Sequence, residues 1–235
     1  MNTTPNVPQK PDLPHFREGP DPPVPRARNW RRWTAALILL AAVAASLFWG
    51  ARHRAQEGYF GMRVFPAKAA YDFQLTDQNG QPFQLVTLRG KLVLFTFGFT
   101  HCPNFCPTSL TELAAVSRRL LPAQRSRVQI LFVTVDPRRD TPEALRQYVP
   151  YFDPGIVGLT GSKAEIDRTV QAYGADYAID HHPGNDPDVY SVNHTTYTYV
   201  VNPQGKVELI YDYDQLKQTD KIAADVGRVL DAPGN

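Results

Sequence analysis

Two long apolar runs, each followed at once by a helical pattern, constrain the fold of this chain more than any other feature. The first run covers residues 91–99 (KLVLFTFGF) and the second covers residues 128–136 (VQILFVTVD). Nearly continuous apolar runs of this length are typical of strands covered on both faces. The second run leads to a helix that Thr141 caps and Pro142 opens. This alternation predicts an α/β fold with helices on both faces of the sheet.

The flanking segments add antiparallel strands and two more helices. A β-hairpin is predicted near the start of the globular part, because Asn79-Gly80 is a strong turn signal between two strand-like segments. The remaining predicted elements are a short strand and turn (156–162), a helix (163–173), a hairpin (196–211) and a closing helix (215–230). Together they predict a mixed sheet flanked by helices, with an N-terminal β-hairpin.

Residues 33–51 predict a single transmembrane helix. The segment has 19 residues without an ionisable side chain, and as a helix it would span roughly 28 Å, about the hydrocarbon thickness of a bilayer. Trp30, Trp33 and Trp49 lie at its ends, where indole rings favour the membrane interface. The run is long and starts far from the N-terminus, which favours a retained anchor over a cleaved signal peptide. Because every face is apolar, a buried soluble helix is the weakest alternative.

The anchor divides the chain into four predicted parts. These are a disordered proline-rich tail (1–32), the transmembrane helix (33–51), a linker (52–70) and a globular domain (71–235). Arginines crowd the N-terminal flank of the helix, which favours a cytoplasmic tail and a periplasmic domain at a bacterial inner membrane. The net charge of only +2 gives no indication of nucleic-acid binding.

Cys102 and Cys106, the two cysteines of the chain, lie between the first predicted strand and its helix. Ligand sites of open α/β sheets lie at the carboxyl ends of the strands, and a helix N-terminus favours a thiolate. At this i, i+4 spacing we expect both sulfurs on one face of the first helical turn, as a disulfide or as two soft ligands for one metal. The spacing is not the C-x₂-C of redox enzymes, and a zinc knuckle would need four ligands. Two thiolates suit Cu(I).

Three segments resemble one family. They are FGFTHCPNFCP (97–107), VTVDPRRDTPE (133–143) and YSVNHTTYTYVVNPQG (190–205). They are similar to the Sco/SenC family of copper-binding assembly factors, and the resemblance covers about residues 70–231. It implies a thioredoxin-like fold, one membrane anchor, and copper held by Cys102, Cys106 and a distant histidine. It also implies a role in loading the CuA centre of cytochrome c oxidase, with the CuA-bearing subunit as partner and another periplasmic copper chaperone as a candidate donor. Thiol–disulfide activity is attributed to some members.

The resemblance assigns the distant ligand to His194. The segment His194-Thr195-Thr196-Tyr197 also occupies the place of a turn that lies against the redox motif in thioredoxin-like proteins. The other histidines are weaker candidates: His15 is in the tail, His53 is at the membrane edge, His101 is expected to point away from the metal, and His181 and His182 precede an exposed loop.

The residue before the ligand departs from the family pattern. The family usually has aspartate there, whereas this chain has Asn193. A neutral amide is expected to orient the imidazole less strongly than a carboxylate, which would weaken Cu(II) binding. The motif residues Asp136 and Asp140 match the family, and two roles stay open for them: a strand-end turn with a helix cap, or partner docking.

Three functions compete at this point. The first is a copper chaperone that uses Cys102, Cys106 and His194. The second is a thiol–disulfide oxidoreductase that reduces the cysteines of the oxidase subunit or of another periplasmic partner. The third is a passive domain with a structural disulfide. A metal chaperone needs His194 and a dithiol reductase does not, so this histidine separates the first two functions.

Overall fold

The structure, a computed structural model, describes residues 30–56, 58–181 and 189–232. The chain divides at residues 53 and 54 into two units. The first contains most of the helix α1 (Trp30–Gln56), whose large apolar side chains between Trp33 and Trp49 are exposed. Within the described residues, no helix combines the length and the apolar character that crossing a membrane requires. The predicted transmembrane helix therefore stays a prediction, and most of the predicted disordered tail lies outside the described residues.

The second unit, residues 54–235, holds ten strands and six helices among its described residues. The strands are β1 (Met62–Ala69), β2 (Gln74–Asp77), β3 (Pro82–Gln84), β4 (Leu92–Gly98), β5 (Val128–Thr134), β6 (Val157–Thr160), β7 (Tyr177–His181), β8 (Tyr190–His194), β9 (Thr198–Val201) and β10 (Lys206–Tyr211). The helices are α2 (Phe105–Arg119), α3 (Pro122–Arg125), α4 (Pro142–Tyr148), α5 (Lys163–Ala172), α6 (Tyr213–Leu216) and α7 (Thr219–Asp231). Short 3₁₀ turns follow β3 and α4.

Eight strands form one mixed sheet in the order β1-β10-β9-β4-β5-β6-β2-β3. The centre, β4-β5-β6, is parallel, and all other pairs are antiparallel. All seven residues of β4 are buried, as its continuous apolar run predicts. α2 packs against β4, β5 and α7, while α4 packs against β6 and α5 against β2. The predicted mixed α/β sheet with an N-terminal hairpin is confirmed.

The first strand was not predicted, because residues 62–69 were assigned to the linker. They form β1, which pairs with β10 at the edge of the sheet. β1 shows no alternating apolar pattern and contains Pro66, and its register against β10 shifts between Arg63 and Lys68. An irregular edge strand of this kind is formed by backbone pairing to an open sheet edge and leaves little trace in the sequence.

The closing helix is two helices and not one. α6 begins with a capping box between Asp212 and Gln215, and Gln218 then leaves the helical region at φ −97° and ψ 59° before α7 starts. Leu216 and Ile222, on either side of the break, are both buried. The spacing of the apolar residues predicted one continuous helix from about residue 215. This spacing does not reveal the break at Gln218.

A second, two-stranded sheet was also missed by the sequence analysis. β7 pairs with β8 in antiparallel register from Tyr177↔His194 to His181↔Tyr190. The sheet is separate from the eight-stranded one. It has a direct bearing on the site, because β8 ends at His194.

Candidate metal centre

The loop that carries Cys102 leaves β4 at its carboxyl end and enters α2. Cys102 was expected in the first turn of the helix, but α2 begins only at Phe105. The loop residue Cys102 lies three residues before the start of this helix. Its N–H donates to the carbonyl oxygen of Phe99 at 3.3 Å. Cys102 therefore lies in the loop, and Cys106 lies in the first turn of α2.

The structure brings Cys102, Cys106 and His194 together. One ligand atom from each lies within 4.8 Å of the other two, and this is the one such group of three or more among the described residues. The backbone N–H of Cys106 donates to Cys102 Sγ at 3.4 Å, and Cys106 Sγ lies 3.5 Å from His194 Nε2. Both cysteines are free thiols and buried. Two sulfurs and one imidazole nitrogen are soft-to-intermediate donors, which fits copper and falls short of the four ligands of a structural zinc site.

A backbone carbonyl orients the imidazole of His194. Its Nδ1 lies 2.9 Å from the carbonyl oxygen of Thr195. A carbonyl only accepts, so Nδ1 carries a proton and donates it to this carbonyl, and Nε2 is the ring nitrogen that faces Cys106 Sγ. The edge of the ring also contacts Phe99, with centroids 5.8 Å apart. This is the ring orientation that a metal ligand at Nε2 needs.

Asn193 does not take part in this orientation, contrary to the sequence-based expectation. Successive side chains of a strand point to opposite faces, and Asn193 Nδ2 donates to Asp180 Oδ2 on β7 at 2.8 Å. The amide therefore ties the two strands of the small sheet together. Because Thr195 fixes the ring, the replacement of aspartate by Asn193 removes no contact to the imidazole in this structure.

The pKa values of the two cysteines are shifted in opposite directions. A hydrogen bond from the Cys106 thiol, with smaller contributions from the N–H groups of Cys106 and Asn104, lowers the pKa of Cys102 to about 3. The same hydrogen bond, together with burial and the neighbouring charge, raises the pKa of Cys106 far above that of an ordinary thiol. The metal-free site therefore holds one thiolate and one thiol at neutral pH.

A groove of about 570 Å³ lies beside Cys102 and His194. Cys102 and His194 lie in its wall, with Phe99 and Phe105 among the apolar lining residues and Arg139 among the polar ones. Phe105 is about half exposed and packs edge-on against the ring of Tyr213. An incoming donor group can therefore reach the sulfur of Cys102 from solvent.

Of the histidines whose side chains the structure describes, His101 and His181 do not join the site. His101 is exposed, and its Nδ1 lies 3.0 Å from Thr100 Oγ1, as expected for a side chain that points away. The ring of His181 lies against Tyr190 at 5.1 Å. His15 and His182 lie outside the described residues, and the side chain of His53 is not described.

Asp136 and Asp140 are both fully buried. They form the turn after β5, and Thr141 caps α4 by accepting a hydrogen bond from the N–H of Ala144. The prediction of a strand-end turn and helix cap is confirmed. Both side chains face the interior of the domain, and the alternative of a role in partner docking stays a prediction.

Gly98 is a site residue that sequence reasoning missed. A Cβ at this position would lie 2.6 Å from a ring carbon of Phe132 and 2.8 Å from Cys106 Sγ. Only glycine allows the end of β4 to approach this sulfur so closely. A glycine inside a continuous apolar strand was the one available signal.

The geometry defines a class of protein: a thioredoxin-like domain in which a cysteine pair at a strand–helix junction meets one histidine from a separate segment. A protein-family model, SCO1/SenC, matches residues 63–231. The chain belongs to the SCO1/SenC family.

Individual relatives agree with this assignment. An SCO2-like protein of Rickettsia conorii is 40% identical over 141 residues, which are 59% of this chain and 67% of the relative. The structure of Bradyrhizobium japonicum ScoI with copper bound is 38% identical, with a TM-score of 0.61, covering 68% of this chain and 99% of that one. BsSco, described as a member of the Sco family of cytochrome c oxidase assembly proteins and as having a disulfide switch, is 25% identical, with a TM-score of 0.53, covering 72% and 97%.

The unequal thiols predict a pH-dependent alkylation pattern. In the reduced, metal-free domain we expect iodoacetamide to modify Cys102 at pH 5, because its pKa is lowered to about 3 and it is still a thiolate there. Cys106, whose pKa is raised, should stay unmodified up to pH 8. Peptide mass spectrometry of the alkylated protein measures both rates.

A Cys106→Ala variant provides the control. It removes the hydrogen bond that contributes most to the low pKa of Cys102, so alkylation of Cys102 at pH 5 should slow by at least about tenfold. Equal rates in the wild-type protein and this variant, or earlier modification of Cys106, would contradict the assignment.

Gly98→Ala should destabilise the domain by about 1–3 kcal/mol, the usual range for overpacking a core. The added methyl group meets Phe132 and Cys106 at distances that require both to move. Urea unfolding measures the loss. Gly158→Ala is the matched control, because its Cβ meets core atoms of Leu145 and Val149 at the looser distance of 3.1 Å. A loss at Gly98 no larger than that at Gly158 would show that the close approach of β4 to Cys106 is not a constraint.

Proposed function

We propose that this chain is a copper chaperone that binds one copper ion through Cys102, Cys106 and His194 and assists assembly of the CuA centre of cytochrome c oxidase. The observation that carries the proposal is the convergence of two sulfurs and one imidazole nitrogen within 4.8 Å. Membership of the SCO1/SenC family supports copper as the metal and oxidase assembly as the process. The CuA-bearing subunit is the proposed acceptor, and another periplasmic copper chaperone is the proposed donor.

The donor set has separate parts for the two oxidation states of copper. Two thiolates are sufficient ligands for Cu(I), whereas Cu(II) prefers nitrogen donors and a higher coordination number. Cys102 is already a thiolate, and Cys106 must release its proton when the metal enters. His194 presents Nε2 to the sulfurs, because Nδ1 donates to the carbonyl of Thr195. The groove beside Cys102 provides room for an acceptor ligand to displace one of these donors.

The same thiols support a second candidate function, reduction of a partner's disulfide. The low pKa of Cys102 and the free thiol of Cys106 are the observations that favour it. The Cys102 thiolate would attack one sulfur of the partner's disulfide and release the other as a thiolate. Cys106, after losing its proton, would then attack Cys102 in the mixed disulfide and release the second partner thiolate. Two electrons pass to the partner, and Cys102–Cys106 becomes a disulfide.

We further propose that residues 33–51 anchor the protein in a bacterial inner membrane, with the domain in the periplasm. The uninterrupted apolar sequence and the flanking tryptophans and arginines support this. The exposure of the large apolar side chains of α1 is also in keeping with a lipid environment.

His194→Ala separates the two functions. We expect the variant to keep Cu(I) binding through the two thiolates, but to lose Cu(II) affinity by more than about 100-fold, beyond the usual effect of an outer-shell partner. The visible absorption of the Cu(II) form should change as well. Titration of the reduced domain with each ion, in the presence of a competing chelator, measures both affinities.

Cys102→Ser and Cys106→Ser are the companion variants, and each should abolish tight Cu(I) binding. Oxidase assembly at limiting copper should fail in all three variants. Assembly that fails in the cysteine variants but proceeds with His194→Ala would favour disulfide reduction over metal delivery. An unchanged Cu(II) spectrum in His194→Ala would remove this histidine from the site.

A topology reporter tests the anchor. Alkaline phosphatase fused after residue 235 should be active and green fluorescent protein at the same position should be dark, because the arginine bias keeps residues 1–32 inside. Fluorescence of the second fusion, or a mature protein that begins after Ala51, would overturn the retained anchor.

A further inference from the structure

One tight turn after β5 contacts the two segments that lead to the proposed metal ligands, at Thr100 before Cys102 and at Tyr190 before His194. The Asp136–Asp140 turn, residues 136–140, is closed by the N–H of Asp140, which donates to the carbonyl oxygen of Asp136 at 2.9 Å. The hydroxyl of Thr134 bonds to both aspartates. It accepts from the backbone N–H of Asp136 at 2.9 Å and donates to Asp140 Oδ2 at 2.6 Å. Both aspartates are completely buried.

The first connection runs from Asp140 to the loop of Cys102. Asp140 Oδ2 accepts from the backbone N–H of Thr100 at 2.9 Å, and Oδ1 accepts from its hydroxyl at 2.5 Å. Thr100 is 40 residues away in sequence and two residues before Cys102. The bidentate contact therefore fixes the chain at the point where it leaves β4 and starts the metal-binding loop.

The second connection runs from Asp136 to the strand of His194. Asp136 Oδ1 accepts from the hydroxyl of Tyr190 at 2.8 Å, and Oδ2 accepts from Arg139 Nε at 2.5 Å. The guanidinium of Arg139 lies over the ring of Tyr190, 3.8 Å from its centroid, and its Nη1 donates to the carbonyl of the same residue at 3.4 Å. Tyr190 opens β8, the strand that ends at His194. Asp136 and Arg139 thus contact the hydroxyl, the ring and the backbone carbonyl of the first residue of that strand.

A turn that only capped its own helix would need no such contacts. Burying a carboxylate is costly unless its oxygens are hydrogen-bonded. Here two buried carboxylates stand four residues apart, and each finds partners on a segment 40 or 54 residues away. Both segments lead directly to metal ligands, one to Cys102 and the other to His194.

On the basis of the proposed copper site, we propose that the Asp136–Asp140 turn positions the cysteine pair and the imidazole of His194 relative to each other. Asp140 positions the thiolates through Thr100, and Asp136 positions the imidazole through Tyr190. Asp136, Asp140, Thr100 and Tyr190 are positioning residues and do not bind the metal themselves.

Removal of single hydroxyl groups tests the two connections separately. Tyr190→Phe should lower Cu(II) affinity by about tenfold, as for an outer-shell partner, and alter the visible Cu(II) spectrum, while Cu(I) affinity stays within about twofold. Thr100→Val should lower Cu(I) affinity by about tenfold, and Thr100→Ser, which keeps the hydroxyl, should restore it. Each ion is titrated into the reduced protein against a chelator, with thermal unfolding recorded for every variant.

Tyr211→Phe is the matched control. Tyr211 is also buried and donates to a buried carboxylate, Asp225 Oδ2, at 3.0 Å, but neither residue touches the donor set. It should lose thermal stability much as Tyr190→Phe does and keep the wild-type Cu(II) spectrum. An identical spectral change in Tyr211→Phe would show that general destabilisation, and not positioning, explains the result.

Wild-type protein and His194→Ala are titrated alongside these variants. If wild type binds Cu(II) in a His194-dependent manner while Tyr190→Phe and Thr100→Val both behave as wild type, the positioning role is wrong and the copper site stands. If wild type binds no copper, or His194→Ala binds Cu(II) like wild type, the proposed site fails and the positioning role fails with it. Should Tyr190→Phe not fold, Asp136→Asn replaces it with the same expected effect on Cu(II).

Discussion

The parallel pairing of β4 with β5 is the interaction on which the rest of the site depends. Their register runs from Leu92↔Val128 to Gly98↔Thr134, so both strands end at the same edge of the sheet. One further hydrogen bond, from the N–H of Val135 to the carbonyl of Gly98 at 2.8 Å, carries the pairing past the strand ends. The loop of Cys102 therefore starts beside the Asp136–Asp140 turn. Both lie at the carboxyl ends of the parallel strands, where the ligand sites of open α/β sheets are found.

Elements with a strong local signal were predicted from the sequence, and elements that depend on distant partners were not. The buried run of β4 and the Asn79-Gly80 turn carry their structure in neighbouring residues. β1 becomes a strand by pairing with a segment far along the chain, and its sequence shows no alternating pattern. β8 does alternate buried and exposed residues, but the sequence analysis did not use this signal. The cysteine pair was found because its members are close in sequence. His194, 88 residues from Cys106, was found through the family resemblance and through the place of its segment in thioredoxin-like proteins.

The role of Asn193 shows a further limit of reading positions from a motif. Its place next to His194 suggested a contact with the imidazole, but strand alternation sends the amide to Asp180 on the other face. The orienting group is a backbone carbonyl, which any residue at position 195 would supply. Backbone partners leave no trace in residue identity, so the geometry of the ring could be obtained only from the structure.

The two sulfur donors and the imidazole are positioned by different parts of the fold. The cysteines stand at the end of a buried strand of the large sheet, whereas His194 ends a strand of the small sheet. Beyond His194 the chain is tied back to β4, because the hydroxyl of Thr96 donates to the carbonyl of Tyr197 at 3.1 Å. The imidazole is thus held from both ends of its segment, by Tyr190 before it and Tyr197 after it. In the proposed copper site Cu(I) needs only the thiolates and Cu(II) needs the imidazole as well, so a displacement of this segment would act on the Cu(II) donor and leave the thiolates in place.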